Sequence, residues 1–332
     1  MTSDDTALTV PKAELHLHIE GALEPELAFE LARRNGITLP YADVADLRRR
    51  YDFTDLQSFL DLYYTGMWVL CTARDFTDLA ESYLARAQQQ GVRHAEIFFD
   101  PQAHTTRGVS MSTIIDGLEA ALSTSEQRYG ISTRLIACFL RDHGPEAAKA
   151  TFDELLPHSH RLTGVGLDSA ELGYPPADFA DVFDRARDAG LRLVAHAGEE
   201  GPPEYIWQAL DVLGVERVDH GVRAVEEAAL LQRLADDRMP LTVCPISNVR
   251  LRCVDTLAAH PLPQLVSAGL LTSLHSDDPT YFGGYIGENY QAVQQQLGVD
   301  DTALRQFAVN SFHSSFLPDT ERDRFLGEIG PA

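Results

Sequence analysis

Glu14-Leu15-His16-Leu17-His18-Ile19-Glu20-Gly21 is the stretch around which the chain is organised. Its apolar residues alternate with His16, His18 and Glu20, and side chains two residues apart on a β-strand share one face. Both imidazoles are therefore expected side by side at the carboxyl end of a strand that Gly21 terminates. Two neutral imidazoles so placed can begin a metal site. Such pairs also occur as ordinary surface or core residues, so the other ligands must come from elsewhere in the chain.

Strand-like and helix-like segments alternate along the rest of the chain about eight times, which predicts a parallel α/β fold. No Gly-x-Gly-x-x-Gly motif follows an early strand, and this weakens the doubly wound, dinucleotide-binding alternative. We therefore predict a (β/α)8 TIM barrel that forms a single domain over residues 1–332, a length within the range of such barrels. The aromatic-rich segment at about 43–70 is predicted to be a helical insertion that adds helices over the C-terminal mouth of the barrel.

Composition disfavours several classes of partner. The formal net charge of −23 argues against binding to nucleic acid or to anionic membranes. No apolar run reaches the roughly 18 residues of a membrane span, and the polar, acidic N-terminal residues do not resemble a signal peptide. The four cysteines (Cys71, Cys138, Cys244 and Cys253) are far apart in the sequence. They predict reduced thiols in a cytoplasmic protein rather than a disulfide framework or a cysteine zinc site.

Polar residues follow several of the predicted strands. They are Asp168 and Glu171, His196 and Glu199, His220, and Asp277 with Asp278. In a closed barrel all strand carboxyl ends meet on one face, so these residues are expected to converge with His16 and His18. A third histidine at 196 would allow a His₃ or His₃Asp zinc site. Taken one at a time, the same residues also fit a buried core histidine, a solvated glutamate and an Asp-Pro turn.

Four motifs in chain order resemble those of the adenosine/adenine deaminase family of metal-dependent barrel hydrolases. They are His16-Leu17-His18 with Gly21, His196-Ala197-Gly198-Glu199, His220-Gly221 and Ser276-Asp277-Asp278-Pro279. The resemblance implies one Zn²⁺ per chain, held by His16, His18, His196 and Asp277. It also implies that Glu199 donates a proton to a purine ring, that His220 orients or deprotonates the attacking water, and that Asp278 contacts the substrate. The His-x-Glu and Pro-Cys-x-x-Cys signature of nucleic-acid deaminases is absent from the sequence.

Longer stretches resemble the adenine deaminase branch of this family, among them Phe98-Phe99-Asp100-Pro101-Gln102 and Cys244-Pro245-Ile246-Ser247-Asn248. The implied reaction is the hydrolysis of adenine to hypoxanthine and ammonia, as in purine salvage. Adenosine, or a larger 6-aminopurine nucleoside such as aminodeoxyfutalosine, is the alternative substrate.

Two glutamates are candidates for the choice between base and nucleoside. The adenosine branch resembles this chain but carries Asp where Glu20 stands, so Glu20 is expected to fill space that a ribose would need. Glu171 is expected to accept a hydrogen bond from an imidazole N–H that adenine has and adenosine lacks. The alternative for Glu171 is a carboxylate favoured at the start of a helix.

Other interpretations stay open at this point. A related barrel could use the same metal ligands on a different amine or ester, and a non-catalytic barrel could retain zinc, although Glu199 and His220 argue against the latter. His275 stands where related enzymes usually show Asn, and it either changes only the packing or reorients Asp277. The metal could be zinc or iron(II), and a homo-oligomer is possible. The expected partner is a small purine, with no nucleic acid and no membrane.

Overall fold

A parallel barrel is the framework of the computed structural model, which describes residues 3–330. Eight strands pair in chain order, each parallel to the next. They are β1 Lys12–His18, β2 Val92–Phe99, β3 Ser132–Leu140, β4 Gly164–Asp168, β5 Arg192–Ala197, β6 Arg217–His220, β7 Pro240–Val243 and β8 Leu271–Leu274. Beyond the end of β8, the Asp277 N–H donates to the His16 carbonyl at 2.9 Å, and the His18 N–H donates to the Asp277 carbonyl at 3.1 Å. These bonds join the last strand to the first, and the predicted (β/α)8 barrel is confirmed.

Helices connect the strands. Within residues 3–330 they are α1 Ser3–Thr9, α2 Pro25–Asn35, α3 Val44–Arg49, α4 Leu56–Gly66, α5 Ala73–Gln89, α6 Pro101–Thr105, α7 Met111–Leu122, α8 Ser125–Tyr129, α9 Pro145–Leu155, α10 Ala180–Asp188, α11 Pro203–Gln208, α12 Ala228–Asp236, α13 Pro245–Arg250, α14 Leu262–Ser267, α15 Pro279–Phe282, α16 Ile286–Leu297, α17 Asp301–His313 and α18 Asp319–Ile329. Short 3₁₀ turns lie at Glu20–Ala22, Met67–Val69, Arg141–His143, Leu156–Arg161, Pro176–Phe179, Val222–Glu226 and Leu257–Ala259, and a π-turn at Ala209–Leu213. None of these helices combines the length and the apolar character that a membrane span requires.

Both faces of the strands are buried, as is typical of parallel sheets. Successive side chains of a strand point to opposite faces. In β2, Ile97 and Phe99 belong to the large core that includes the surrounding helices, whereas Phe98 belongs to a small separate cluster with Ile136 and Val194. The Phe98 ring also lies 5.4 Å from the His16 ring, centroid to centroid. One face of each strand therefore holds the helices, and the other fills the barrel beneath the histidines.

The 43–70 segment contains α3, α4 and the Met67–Val69 turn. An aspartate N-cap begins each helix, because Asp43 accepts the Asp46 N–H and Asp55 accepts the Ser58 N–H. The aromatic side chains of α4 pack against α15, which directly follows β8, with the Phe59 ring 4.8 Å from the Phe282 ring. This segment therefore lies over the carboxyl ends of the strands.

The structure differs from the sequence prediction mainly in helices that are short or divided. The sequence pattern of residues 112–128 predicts one helix, but the structure has two, α7 and α8, separated at Ser123 and Thr124. The hydroxyl of Ser125 donates to the Leu122 carbonyl at 2.7 Å, and that of Thr124 donates to the Ala121 carbonyl at 3.3 Å. Such side-chain bonds compete with helical backbone bonds. The sequence patterns also gave no prediction of α1, α6, α13, α15 and α18.

Candidate active site

The four predicted metal ligands meet at the carboxyl end of the barrel. The Nε2 atoms of His16 and His18 each lie 3.1 Å from Nε2 of His196. Oδ1 of Asp277 lies 3.4 Å from His16 Nε2 and 3.6 Å from His18 Nε2. Two ligands come from β1, one from β5 and one from the loop after β8, so only closure of the barrel brings the set together.

These separations fit a bound divalent cation. Metal–ligand distances of about 2.0–2.2 Å give neighbouring tetrahedral ligands roughly 3.4 Å apart. Without a cation or shared protons, the lone pairs of three converging imidazole nitrogens would repel one another. One ligand atom from each of His16, His18, His196 and Asp277 lies within 4.8 Å of all the others, and all four residues are buried. The donor set of three nitrogens and one carboxylate oxygen therefore suits a metal ion.

Buried polar groups lie near the Nδ1 atoms of the three histidines, whose Nε2 atoms face the cluster. Nδ1 of His16 lies 3.0 Å from the hydroxyl of Thr242, and that hydroxyl donates to Oδ1 of Asp219 at 2.7 Å. Oδ2 of Asp219 lies 3.7 Å from His196 Nδ1, and Asp168 Oδ2 lies 3.5 Å from His18 Nδ1. Such partners orient metal-binding imidazoles. Sequence reasoning assigned no role to Asp219 or Thr242, although a polar residue inside a buried strand was the available signal.

Glu199 is a buried carboxyl group beside this cluster. Its Oε2 lies 3.6 Å from Nε2 of His220, and its Oε1 has no hydrogen-bond partner among the described residues. Burial, followed by the carboxylates of Asp277 and Glu171, raises the pKa of Glu199 well above its usual range. This environment favours the neutral form of the side chain, which can donate a proton.

His220 lies between Glu199 and Asp277. Its Nε2 is 3.7 Å from Asp277 Oδ2, and burial, with the nearby His16 imidazole, lowers the pKa of His220 to about 3. The Asn248 amide donates to Nδ1 of His220 at 3.3 Å and so fixes the ring. Both His220 (φ 65°) and Asp277 (φ 64°) have left-handed backbone conformations, which are strained for residues other than glycine and cluster at functional sites.

A cavity opens onto the cluster. Apolar and aromatic side chains from the 43–70 segment form much of its wall, and acidic groups line the inner part. The lining is Leu56, Phe59, Leu60, Tyr63, Tyr64 and Leu251 on the apolar side, with His18, Asp100, Asp168, Ser169, His196, Glu199, His220, Asp277 and Asp278 on the polar side. Oδ1 of Asp278 is buried and has no hydrogen-bond partner among the described residues, so it is available to a ligand.

Glu20 and Glu171 are not among the residues that line the cavity. Oε1 of Glu20 instead accepts hydrogen bonds from His104 Nε2 at 2.8 Å and from the Asp100 N–H at 3.2 Å. Both oxygens of Glu171 accept backbone N–H groups of residues 198–201. Both oxygens of Glu171 therefore face the backbone, whereas Oε2 of Glu20 is buried with no hydrogen-bond partner among the described residues. The expected roles of Glu20 and Glu171 toward the substrate stay predictions.

His275 is a packing residue and not a ligand. Its Nδ1 accepts the Leu15 N–H at 3.0 Å, and its Nε2 lies 2.8 Å from the Ser273 hydroxyl. Burial, with the charges of His16 and Arg217, lowers the pKa of His275 well below its usual value. The neutral ring therefore connects β8 to β1 where the barrel closes.

Comparisons with known proteins agree with this site. A family model described as "Adenosine deaminase" matches residues 11–331. The adenine deaminase of Streptomyces coelicolor is 62% identical over 327 residues, which is 98% of this chain and 96% of that protein.

Solved structures give the same result. The crystal structure of an adenine deaminase from Arthrobacter aurescens matches with a TM-score of 0.96 at 54% identity, covering 97% of this chain and 98% of that one. An amidohydrolase from Burkholderia ambifaria, solved with bound Zn, matches with a TM-score of 0.92 at 28% identity, covering 100% of this chain and 93% of that one. The chain therefore belongs to the adenosine deaminase family, whose members are metal-dependent hydrolases.

Proposed function

We propose that this protein hydrolyses adenine to hypoxanthine and ammonia. The observation that carries the proposal is the convergence of His16, His18, His196 and Asp277 next to the buried Glu199 carboxyl, which lines the cavity together with three of these four residues. The relatives from Streptomyces coelicolor and Arthrobacter aurescens, which are named adenine deaminases, support adenine as the substrate. The four free cysteines support a cytoplasmic setting.

One Zn²⁺ per chain is the metal we propose, held by the three imidazoles and Asp277. The neighbouring structure with bound Zn supports this choice over iron(II). A zinc ion in such a site lowers the pKa of water to about 7 and so supplies a hydroxide nucleophile at neutral pH.

Glu199 acts on the ring nitrogen in this proposal. Attack at C6 of the purine would leave negative charge on the ring unless N1 gains a proton. The neutral Glu199 carboxyl can supply that proton, because its pKa is held above the usual range. Collapse of the tetrahedral intermediate then breaks the C6–N bond. The proton of the C6 hydroxyl leaves with the amino group as ammonia, and the proton released by the attacking water restores Glu199.

His220 and Asp278 complete the proposed arrangement. The neutral His220 ring, with Nε2 3.6 Å from Glu199 and 3.7 Å from Asp277, orients the attacking water. Asp278 lines the cavity with an unpartnered oxygen and can hold a purine N–H or nitrogen. The aromatic wall formed by Phe59 and Tyr63 keeps bulk water from the reacting atoms.

Ammonia release tests the proposal. The zinc-loaded protein is assayed with adenine and with adenosine, and kcat/KM is compared. We expect a strong preference for adenine, loss of activity after chelation, and recovery with Zn²⁺. Turnover of adenosine alone would keep the zinc mechanism and contradict the substrate. Turnover of neither would contradict the function and direct the search to larger 6-aminopurine nucleosides or to another amine.

A further inference from the structure

Four successive backbone N–H groups converge on one buried carboxylate next to the proposed proton donor. The Gly198 N–H donates to Oε1 of Glu171 at 2.6 Å. The N–H groups of Glu199, Glu200 and Gly201 donate to Oε2 at 3.0, 2.8 and 2.7 Å. Glu171 is 1% exposed, so water cannot replace it as the acceptor of these bonds. We call residues 198–201 the 198–201 loop.

The backbone conformation of the 198–201 loop allows its N–H groups to point toward one carboxylate. Gly198 has φ +72°, a conformation that lets successive N–H groups point to one side. At Gly201 a Cβ would lie 2.5 Å from Oε1 of Glu171. Only a residue without a side chain therefore leaves the carboxylate in place against the backbone.

The buried guanidinium of Arg141 binds the backbone of His196, just before the 198–201 loop. Nη1 of Arg141 donates to the carbonyl of His196 at 2.8 Å, and Nε donates to the carbonyl of Tyr174 at 2.9 Å. Arg141 is fully buried. The segment that carries one proposed metal ligand and the proposed proton donor is thus bound through a carbonyl by a cation and through its N–H groups by an anion.

We propose that Glu171 is a positioning residue that fixes the 198–201 loop so that the Glu199 carboxyl faces the substrate ring. Glu171 does not contact the substrate, because its oxygens are filled by the four N–H groups and it is not among the cavity-lining residues. This inference rests on the proposed role of Glu199. Its energetic basis is that a misplacement of about 1 Å at a reacting group can cost on the order of 10²-fold in rate.

The first test is Glu171→Gln. An amide keeps one oxygen as acceptor and turns the other position into a donor that faces N–H groups. We expect kcat for adenine to fall on the order of 10²-fold while KM changes by less than about threefold, because N1 protonation is needed in the transition state and not for binding. Metal content should stay at the wild-type value, and amide hydrogen exchange across 198–201 should become faster.

Glu200→Gln is the matched control. It makes the same chemical change on the same loop, but the Glu200 side chain is partly exposed and only its backbone N–H reaches Glu171. We expect kcat within about twofold of wild type and unchanged exchange.

Gly201→Ala is the second variant and serves if Glu171→Gln does not fold. Its added Cβ would lie 2.5 Å from Oε1 of Glu171 and 2.5 Å from Cδ2 of Tyr205, so the carboxylate and the ring would have to shift. The same result is expected: lower kcat, nearly unchanged KM and faster exchange of the loop.

Three results would overturn the proposal. One is wild-type kcat in Glu171→Gln. A second is a rise in KM with kcat retained, which would make Glu171 a substrate contact. The third is loss of metal in proportion to kcat, which would make its role purely structural. If wild-type protein does not act on adenine, the proposed function fails, and the exchange and metal measurements still decide whether Glu171 anchors the loop.

Discussion

Glu199 and Glu171 are two carboxyl groups on neighbouring loops with opposite tasks. Glu171 accepts four backbone N–H groups and so holds the 198–201 loop. Glu199 has an unpartnered Oε1 and neighbouring carboxylates, and its pKa is raised. Environment, and not residue type, therefore separates a carboxyl group that organises the backbone from one that can give up a proton.

Replacing Glu199 by Gln should remove the proton that N1 needs. We expect kcat for adenine to fall by about 10²–10⁴-fold, the usual contribution of a general acid. Metal content should not change, because Glu199 is outside the proposed ligand set, and an amide of equal size fills the same space. Ammonia release and metal analysis on the purified variant measure both effects, and retention of more than a tenth of kcat would contradict the role.

The pH profile of the wild-type protein tests the same residue. The protonated form of Glu199 is the proposed active form, so activity should be present below its folded pKa and lost as the pH rises through that value. Because burial and nearby carboxylates raise the pKa, the loss should come on the alkaline side and not near the usual range of a glutamate.

The 43–70 segment is the element that separates the site from solvent. Its helix α4 contributes Leu56, Phe59, Leu60, Tyr63 and Tyr64 to the cavity wall. The aromatic periodicity predicts that one face of this helix is buried. Its contact with Phe282 depends on the position of α15, which follows β8.

Phe59→Ala should open this wall. The ring contacts Tyr63 at 4.9 Å and Phe282 at 4.8 Å between centroids, and its removal leaves space for water above the site. We expect KM for adenine to rise about tenfold and stability to fall by about 3 kcal/mol. Steady-state kinetics and urea unfolding measure the two effects.

Trp68→Ala is the control for Phe59→Ala. It also removes a large aromatic side chain from the 43–70 segment, but Trp68 is 52% exposed. Its KM should stay at the wild-type value, and equal effects of both variants would contradict a specific role of the α4 face.

At the scale of the whole molecule, a buried ion pair ties distant strands together. Nη1 of Arg217, at the start of β6, donates to Oε2 of Glu96 in β2 at 2.5 Å, and its Nη2 donates to the Leu15 carbonyl in β1 at 3.2 Å. The Phe316 N–H donates to the other Glu96 oxygen at 2.5 Å. Both charged side chains are completely buried, so each needs the other.

Glu96→Gln should therefore lower the free energy of unfolding by about 3–5 kcal/mol, because Arg217 would be left as an uncompensated buried charge. Urea unfolding measures this change. Glu81→Gln is the control, since Glu81 pairs with Arg128 at the surface and should cost less than about 1 kcal/mol. Similar losses in both variants would contradict the special role of the buried pair.

The same pair predicts an acid limit of stability. Burial alone would raise the pKa of Glu96, but Arg217 and His94 outweigh it and lower the pKa to about 2, from 4.5. The stabilisation is complete above pH 4.5 and is lost as the pH falls from 4.5 to about 2. The wild type should lose stability in this window, and Glu96→Gln should lose less.

Local sequence patterns were sufficient to predict the order of the eight strands and the polar residues at their carboxyl ends, although several short helices were missed. The reason is that periodicity and glycine stops are local, and a barrel always gathers its strand carboxyl ends on one face. The convergence of His16, His18, His196 and Asp277 followed from those two facts. The motifs were specific enough to identify the family.

The contacts of Glu171, Glu20 and His275 could not be predicted from the sequence and are seen only in the folded chain. The N–H donors to Glu171 are 27 to 30 residues away in the sequence, and His275 meets Leu15 across 260 residues. A polar side chain near a site can face the ligand or the backbone behind it, and residue type is the same in both cases. The choice depends on loop path and on which buried N–H groups lack an acceptor, which are properties of the folded chain.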